Sequence, residues 1–303
     1  MMNYTGAVKT AAKENPSSAS IIVIAILCII FGANTVAVKT SLNGFGPFTN
    51  AGVRFSIATV AICTWAFFTK RPLKIERKRW PSVIVISLLF FTQIVLVYFG
   101  MEKTLASRCA LISNLQPFFV LIFAHFFIIG DKITLKKFTG IILGFIGAGF
   151  IFWERSSITS AAQTGDLLIF ASTVIWAING VYTKKVLHNY RPYQLAALPG
   201  LLSIPFFFIG AVFFDSEMVR VIDINVVLAI LYQSLITASI GYIVWISMLK
   251  KFGAVTLHSY IFLMPISGVF FGGLILNEPV ATLSILFALL FIIAGVVTVH
   301  SSR

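Results

Sequence analysis

From residue 20 to residue 299 the chain is a succession of ten apolar runs, at approximately 20–41, 48–69, 81–100, 106–129, 134–153, 165–187, 192–214, 224–248, 254–276 and 280–299. A hydrocarbon core of about 30 Å takes about 20 apolar residues of α-helix at 1.5 Å per residue. Ten such crossings use most of the 303 residues, leaving short loops and no room for a separate soluble domain. A soluble protein of this size carries about 25% charged residues, whereas here the fraction is 11%, with 58% hydrophobic. The strands of a membrane β-barrel would read as alternating segments of about ten residues, and that pattern is absent. Turn residues fall between the runs: Asn43-Gly44-Phe45-Gly46-Pro47, Arg71-Pro72, Gly130-Asp131, Arg191-Pro192 and Glu278-Pro279. The expected fold class is an all-α membrane protein of ten transmembrane helices.

The net charge of +13 does not mark a nucleic-acid binder, because the charges form short clusters between apolar runs. With the N-terminus placed in the cytoplasm, seventeen of the 23 basic residues fall on inside segments, five fall outside, and Arg54 lies within a span. That bias orients the chain with both termini cytoplasmic. The setting this implies is a bacterial inner (plasma) membrane, with the lipid bilayer as one partner. Cys28, Cys63 and Cys109 lie in or beside apolar runs and read as small packing residues, not as a disulfide set or metal site. The first run begins about twenty residues in and contains Asn34, so it reads as an uncleaved first helix.

An internal repeat accompanies the runs. Residues 30–39 (IFGANTVAVK) match 175–184 (IWAINGVYTK) at an offset of 145. Pro117 matches Pro265 at 148, and Asp131 matches Glu278 at 147. Five helices per repeat is an odd number, so the second half enters the membrane from the opposite side. That is an inverted repeat, an architecture common in secondary transporters, with the substrate site between the halves near the midplane. The expected organisation is a cytoplasmic tail at 1–19, a first five-helix repeat at 20–153, an extracytoplasmic linker at 154–164 and a second repeat at 165–300.

Several motifs resemble the drug/metabolite transporter superfamily, of the EamA type. Arg54-Phe55-Ser56-Ile57-Ala58 is similar to that family's R-F-x-x-A at the start of helix 2. The stretch from Leu105-Ala106-Ser107 to Leu115-Gln116-Pro117 resembles its small-residue segment ending in proline. Gly130-Asp131-Lys132-Ile133-Thr134 and Asn277-Glu278-Pro279 resemble the acidic turns after helices 4 and 9, and Gly140, Gly149 and Gly295 its glycine-bearing helices 5 and 10. The resemblance implies two inverted five-helix repeats around a central cavity. It further implies transport of amino acids or other small metabolites, often outward.

Polar groups inside a span are costly and are site candidates by default. Asn34 and Gln93 fall near the middle of the first and third runs, and Asn114 and Gln116 on the fourth. Trp176 and Asn179 are central in the sixth, Gln233 and Tyr242 lie on the eighth, and His258 and Tyr260 on the ninth. Amides and aromatics together suit a neutral or zwitterionic molecule. The bland alternative is that an intramembrane amide only bonds across a helix interface, at about 0.6 kcal/mol on average. The repeat places Asn34 and Asn179 at equivalent positions and raises both. Arg54 is either an anion clamp for a substrate carboxylate or an anchor for helix carbonyls. Glu102, Asp131, Glu154, Asp166, Asp215 and Glu278 are all placed at edges or loops, so the buried carboxylate of many proton-coupled carriers is missing.

The chain is therefore expected to be a secondary transporter, foremost an exporter of an amino acid or related metabolite. It is expected to work by alternating access, with no cofactor and as a monomer or homodimer. An uptake carrier is the alternative within transport, and a membrane-embedded lipid-modifying enzyme the alternative outside it. Against an enzyme, H-E-x-x-H, G-x-S-x-G and Walker motifs are all absent.

Overall fold

The computed structural model describes residues 17–127, 134–153, 159–258, 261 and 263–300. Expectations placed on Asp131, Glu154, Tyr260 and the side chain of His258 lie outside the described residues. The described chain is almost wholly helical. Seven of its helices are long and apolar enough to cross a membrane: Ser18–Ser41, Pro47–Phe68, Arg77–Lys103, Ala106–Phe127, Ser160–Asn189, Pro192–Phe214 and Ile224–Phe252. Leu263–Leu276 and Leu283–Thr298 are shorter and also apolar.

Helix starts follow local chemistry. The α1 helix (Ser18–Ser41) is capped by Ser17, whose side chain accepts from the amide of Ser20. Proline occupies the first turn of α2 (Pro47–Phe68) and of α3 (Trp80–Lys103), where its missing N–H is harmless. The fourth apolar run is not one helix. It is divided at Asn114 and Leu115 into α4 (Ala106–Ser113) and α5 (Gln116–Phe127). Pro117 supplies no amide to continue the ladder, and the Asn114 side chain instead donates to the Ala110 carbonyl at 2.7 Å.

The first half ends with α6 (Leu135–Trp153). The second begins with α7 (Ser160–Val186), whose N-cap Thr159 accepts from the Ala162 amide. It continues with α8 (Pro192–Phe214), which carries Pro199 and Pro205 in its interior. Helix α7 begins within the stretch 154–164, of which residues 154–158 lie outside the described residues.

The eighth run departs further from a simple span. It comprises α9 (Ile224–Leu231), a π-helical segment (Tyr232–Gly241) and the start of α10 (Tyr242–His258). The gap expected between residues 248 and 254 is absent, because α10 runs unbroken to His258 before α11 (Leu263–Leu276) and α12 (Leu283–His300). In the π segment the widened register loosens the carbonyl ladder. Hydroxyls of Ser234, Thr237 and Ser239 donate back to the carbonyls of Ile230, Gln233 and Leu235, each four residues earlier, at 2.6, 2.7 and 2.5 Å.

The packing obeys an exchange of halves. The α2–α8 and α6–α12 pairs each join a helix to its counterpart in the other half. The α1–α11 pairing is matched by α5 and α4 against α7, and the α3–α8 pairing by α2 against α9 and the π segment. Close approaches rest on glycine. A methyl added at Gly295 would lie 2.6 Å from the Gly140 carbonyl oxygen, and one at Gly32 would lie 2.4 Å from that of Met264.

At one end the loop after α1 meets the loop after α8. Phe45 and Val219 form an antiparallel bridge, and the Arg220 guanidinium bonds Glu102 at 2.8 Å and the Leu42 carbonyl at 2.9 Å. Asp215 accepts the amides of Phe48 and Thr49 at the start of α2, at 3.1 and 2.8 Å.

Candidate functional site

Arg54 sits two turns into α2, about 10 Å along the helix from Pro47 at 1.5 Å per residue. Its side chain is only 9% exposed. One terminal nitrogen donates to the Tyr98 hydroxyl at 3.2 Å and to Gln233 Oε1 at 3.5 Å, and the other donates to Thr237 Oγ1 at 3.2 Å. The guanidinium carbon also lies 5.1 Å from the centre of the Phe55 ring. Nε is buried without a hydrogen-bond partner, and among the described residues no carboxylate answers the charge.

Around Arg54 the network is continuous. The Tyr98 hydroxyl donates to Gln233 Oε1 at 2.8 Å. Gln233 Nε2 donates to Ser41 Oγ at 2.7 Å and to Asn50 Oδ1 at 3.4 Å, and Asn50 Nδ2 donates to Ser41 Oγ at 2.8 Å. The Thr237 hydroxyl lies 2.8 Å from Asn34 Oδ1. The group therefore joins α1, α2 and α3 of the first half to the π segment of the second. It lies toward the Pro47 end of α2.

Of the residues singled out in the sequence, this group brings together Asn34, Arg54 and Gln233. No hydrogen bond joins the other described candidates to it. Asn179 is buried but accepts from its own helix, from Thr183 Oγ1 at 3.2 Å, so the pair Asn34 and Asn179 does not form one cluster. Asn114 is engaged in capping the break before α5. Gln93 Oε1 is buried without a partner, while the Gln93 carbonyl accepts from Ser172 at 3.0 Å. Trp176 is 38% exposed. Tyr242 packs against Val83, Ile86, Leu195, Leu198 and Ile246.

Tyr98, Ser41, Asn50 and Thr237 belong to the network and were not singled out. Each falls within an apolar helix, where a single hydroxyl or amide does not reveal the direction it faces.

The expectation that no carboxylate is buried needs correction. Asp166 lies within α7, is 1% exposed, and pairs with Arg108, itself 3% exposed, at 2.5 Å. Thr104 donates to the same carboxylate at 2.5 Å, and Arg108 also donates to the Ile151 carbonyl at 2.6 Å. Glu278 is buried too. Its two oxygens accept the amides of Ala106 and Ser107 at 2.6 and 2.8 Å, capping α4. Both acids end up inside because neighbouring helices and loops close over them.

The EamA-like transporter family profile matches residues 18–153 and again 163–300, which is most of the chain in two copies. The chain belongs to this family. It is a multi-pass membrane transporter and not an enzyme, so the lipid-modifying alternative falls. Relatives of similar length include the transporter YoaV of Bacillus subtilis (strain 168), 23% identical over 270 residues that cover 88% of this chain and 92% of that one. The probable amino-acid metabolite efflux pump of Escherichia coli (strain K12) is 24% identical, covering 92% of this chain and 94% of that one. Its counterpart in Salmonella typhimurium (strain LT2) is also 24% identical, covering 89% and 91%. A solved crystal structure at 15% identity shares the fold, with a TM-score of 0.71 over 93% of this chain and 96% of the other.

Proposed function

We propose that this EamA-like chain is a secondary exporter of an amino acid or closely related carboxylated metabolite, with Arg54 as the group that receives the carboxylate. The observation that carries the proposal is a buried guanidinium whose Nε has no hydrogen-bond partner, held by neutral hydroxyls and an amide and, among the described residues, by no acid. A charge so placed is expensive unless something neutralises it. A substrate carboxylate supplies that neutralisation and accepts from the planar fork of donors. The efflux of amino-acid metabolites attributed to two relatives fits the same chemistry.

In this reading ten crossings form two inverted repeats, and both termini face the cytoplasm of a bacterial-type inner membrane. A fluorescent-protein fusion after Arg303 is then bright, and an active periplasmic phosphatase at the same place would overturn the orientation. Because the network ties the first half to the π segment of the second, a carboxylate that takes the Arg54 donors releases Thr237 and Gln233. Occupancy is thereby linked to the movement of one half against the other.

The test compares amino acids with their carboxamides as ligands, by thermal shift of the purified chain. Wild type is stabilised by the acids and little by the amides. Arg54→Gln loses at least about tenfold in affinity for the acids, the strength of a hydrogen bond to a charged group. It keeps or raises the unliganded melting temperature, because a buried charge has been removed. Undiminished affinity of Arg54→Gln for the acids, coupled to a lowered melting temperature, would make Arg54 a structural anchor.

A further inference from the structure

An open groove of about 700 Å³ runs down α2, lined by Ser56, Val60, Thr64, Trp65 and Phe68 among others, with Leu235 of the π segment at its upper wall. Its lining is almost entirely apolar. From Ser56 to Phe68 it spans about 18 Å at 1.5 Å per residue, comparable with one leaflet of a hydrocarbon core about 30 Å thick.

At the foot of the groove the chain turns sharply. Lys70 adopts a left-handed conformation (φ 52°), and the Arg71 amide bonds back to the Ala66 carbonyl at 2.8 Å. This turn folds the Arg71 guanidinium over Trp65, 4.9 Å from the ring centre, with the Tyr193 ring, which packs edge-on against Trp65 at 5.9 Å, 6.0 Å from the same guanidinium. A cation is thus fixed beside an aromatic residue that itself lines the groove. The following segment carries Lys74, Arg77, Lys78 and Arg79 against a single acid, Glu76. That acid is already engaged by Arg79 at 2.9 Å and Lys78 at 3.4 Å. Among the described residues Arg71 has no carboxylate partner.

An apolar trough one leaflet long, ending at an uncompensated cation held against a pair of aromatic rings at the membrane surface, has the chemistry of a lipid site. We infer that the α2 groove binds an anionic phospholipid, with one acyl chain along Val60, Thr64 and Phe68 and the headgroup phosphate on Arg71. The site is separate from the Arg54 network and does not rest on the proposed substrate. The favourable interaction of a basic residue with an anionic headgroup at the interface gives it selectivity over zwitterionic lipid.

The test is native mass spectrometry of the full chain in detergent, titrated with dioleoyl phosphatidylglycerol, dioleoyl phosphatidylcholine and glycerol phosphate. Wild type takes the first phosphatidylglycerol more tightly than phosphatidylcholine and ignores glycerol phosphate. Arg71→Gln weakens the first phosphatidylglycerol about fivefold, the effect of one basic residue at an anionic surface, and leaves phosphatidylcholine unchanged. Thr64→Trp, which fills the groove from an exposed position, weakens the first lipid of either kind, as does Val60→Trp. Lys78→Gln removes an equal charge away from the groove and behaves as wild type. The inference is overturned if Lys78→Gln matches Arg71→Gln, since the attraction is then diffuse. It is equally overturned if both tryptophan variants bind as wild type, if wild type does not discriminate between the lipids, or if glycerol phosphate competes.

Discussion

Arg54 and Arg108 are both buried cations on apolar helices, and they differ in what answers the charge. Arg108 meets Asp166 at 2.5 Å, Thr104 donates to the same carboxylate, and Arg108 donates also to the Ile151 carbonyl. Removing one member of such a pair leaves the other buried and uncompensated, which costs about 3–5 kcal/mol. Asp166→Asn is therefore expected to lower the melting temperature sharply, and Arg108→Met with Asp166→Leu to recover much of the loss. A double variant no more stable than Asp166→Asn alone would assign the effect to packing. In the sequence Arg54 stood out as the one cation well inside a run, so its importance was legible. Asp166 was read as an edge residue, because hydropathy gives depth along a helix and says nothing of the neighbours that close over it. Gln233 was legible as an intramembrane amide. Its partners Ser41 and Asn50 were not, since both stand at the run ends flanking the first turn, where polar residues are ordinary.

At the scale of elements, apolar runs located most helices, and the proline at 117 accounts for the division between α4 and α5. The π segment left no comparable mark. Its cause is distributed over hydroxyls that satisfy displaced carbonyls, and Ser, Thr and Gly in an apolar run signal close packing as readily. The continuation of α10 to His258 was likewise hidden, because Lys250, Lys251 and Gly253 resemble a loop in sequence. Glycine sets the closest approach between α1 and α11. At Gly32 a methyl would meet Ser267 Oγ at 1.7 Å and the Met264 carbonyl oxygen at 2.4 Å. The hydroxyl can rotate aside, but the carbonyl belongs to the α11 backbone. Gly32→Ala is expected to destabilise the chain by about 1–3 kcal/mol through overpacking, and Ser267→Ala should not rescue it. Full rescue in thermal melts would mean that the serine side chain, not the backbone approach, sets the α1–α11 distance.

Across the whole molecule the two halves share packing while differing in chemistry. The main contacts between helices have twins under exchange of halves. Yet the repeat offset of 145 carries Arg54 onto Pro199, so the second half has no matching cation there. The proposed site accordingly carries one charge, on the seam between α1, α2, α3 and the π segment. Amino-acid counterflow into proteoliposomes tests this account most directly, because it requires carriage without any other energy source and reports on Arg54 at once. Vesicles loaded with a mixture of unlabelled amino acids are diluted into the same mixture at trace concentration and labelled. The account predicts a transient accumulation of label with the wild-type chain and none with Arg54→Gln. Equal accumulation by Arg54→Gln, or no accumulation by the wild-type chain, would contradict it.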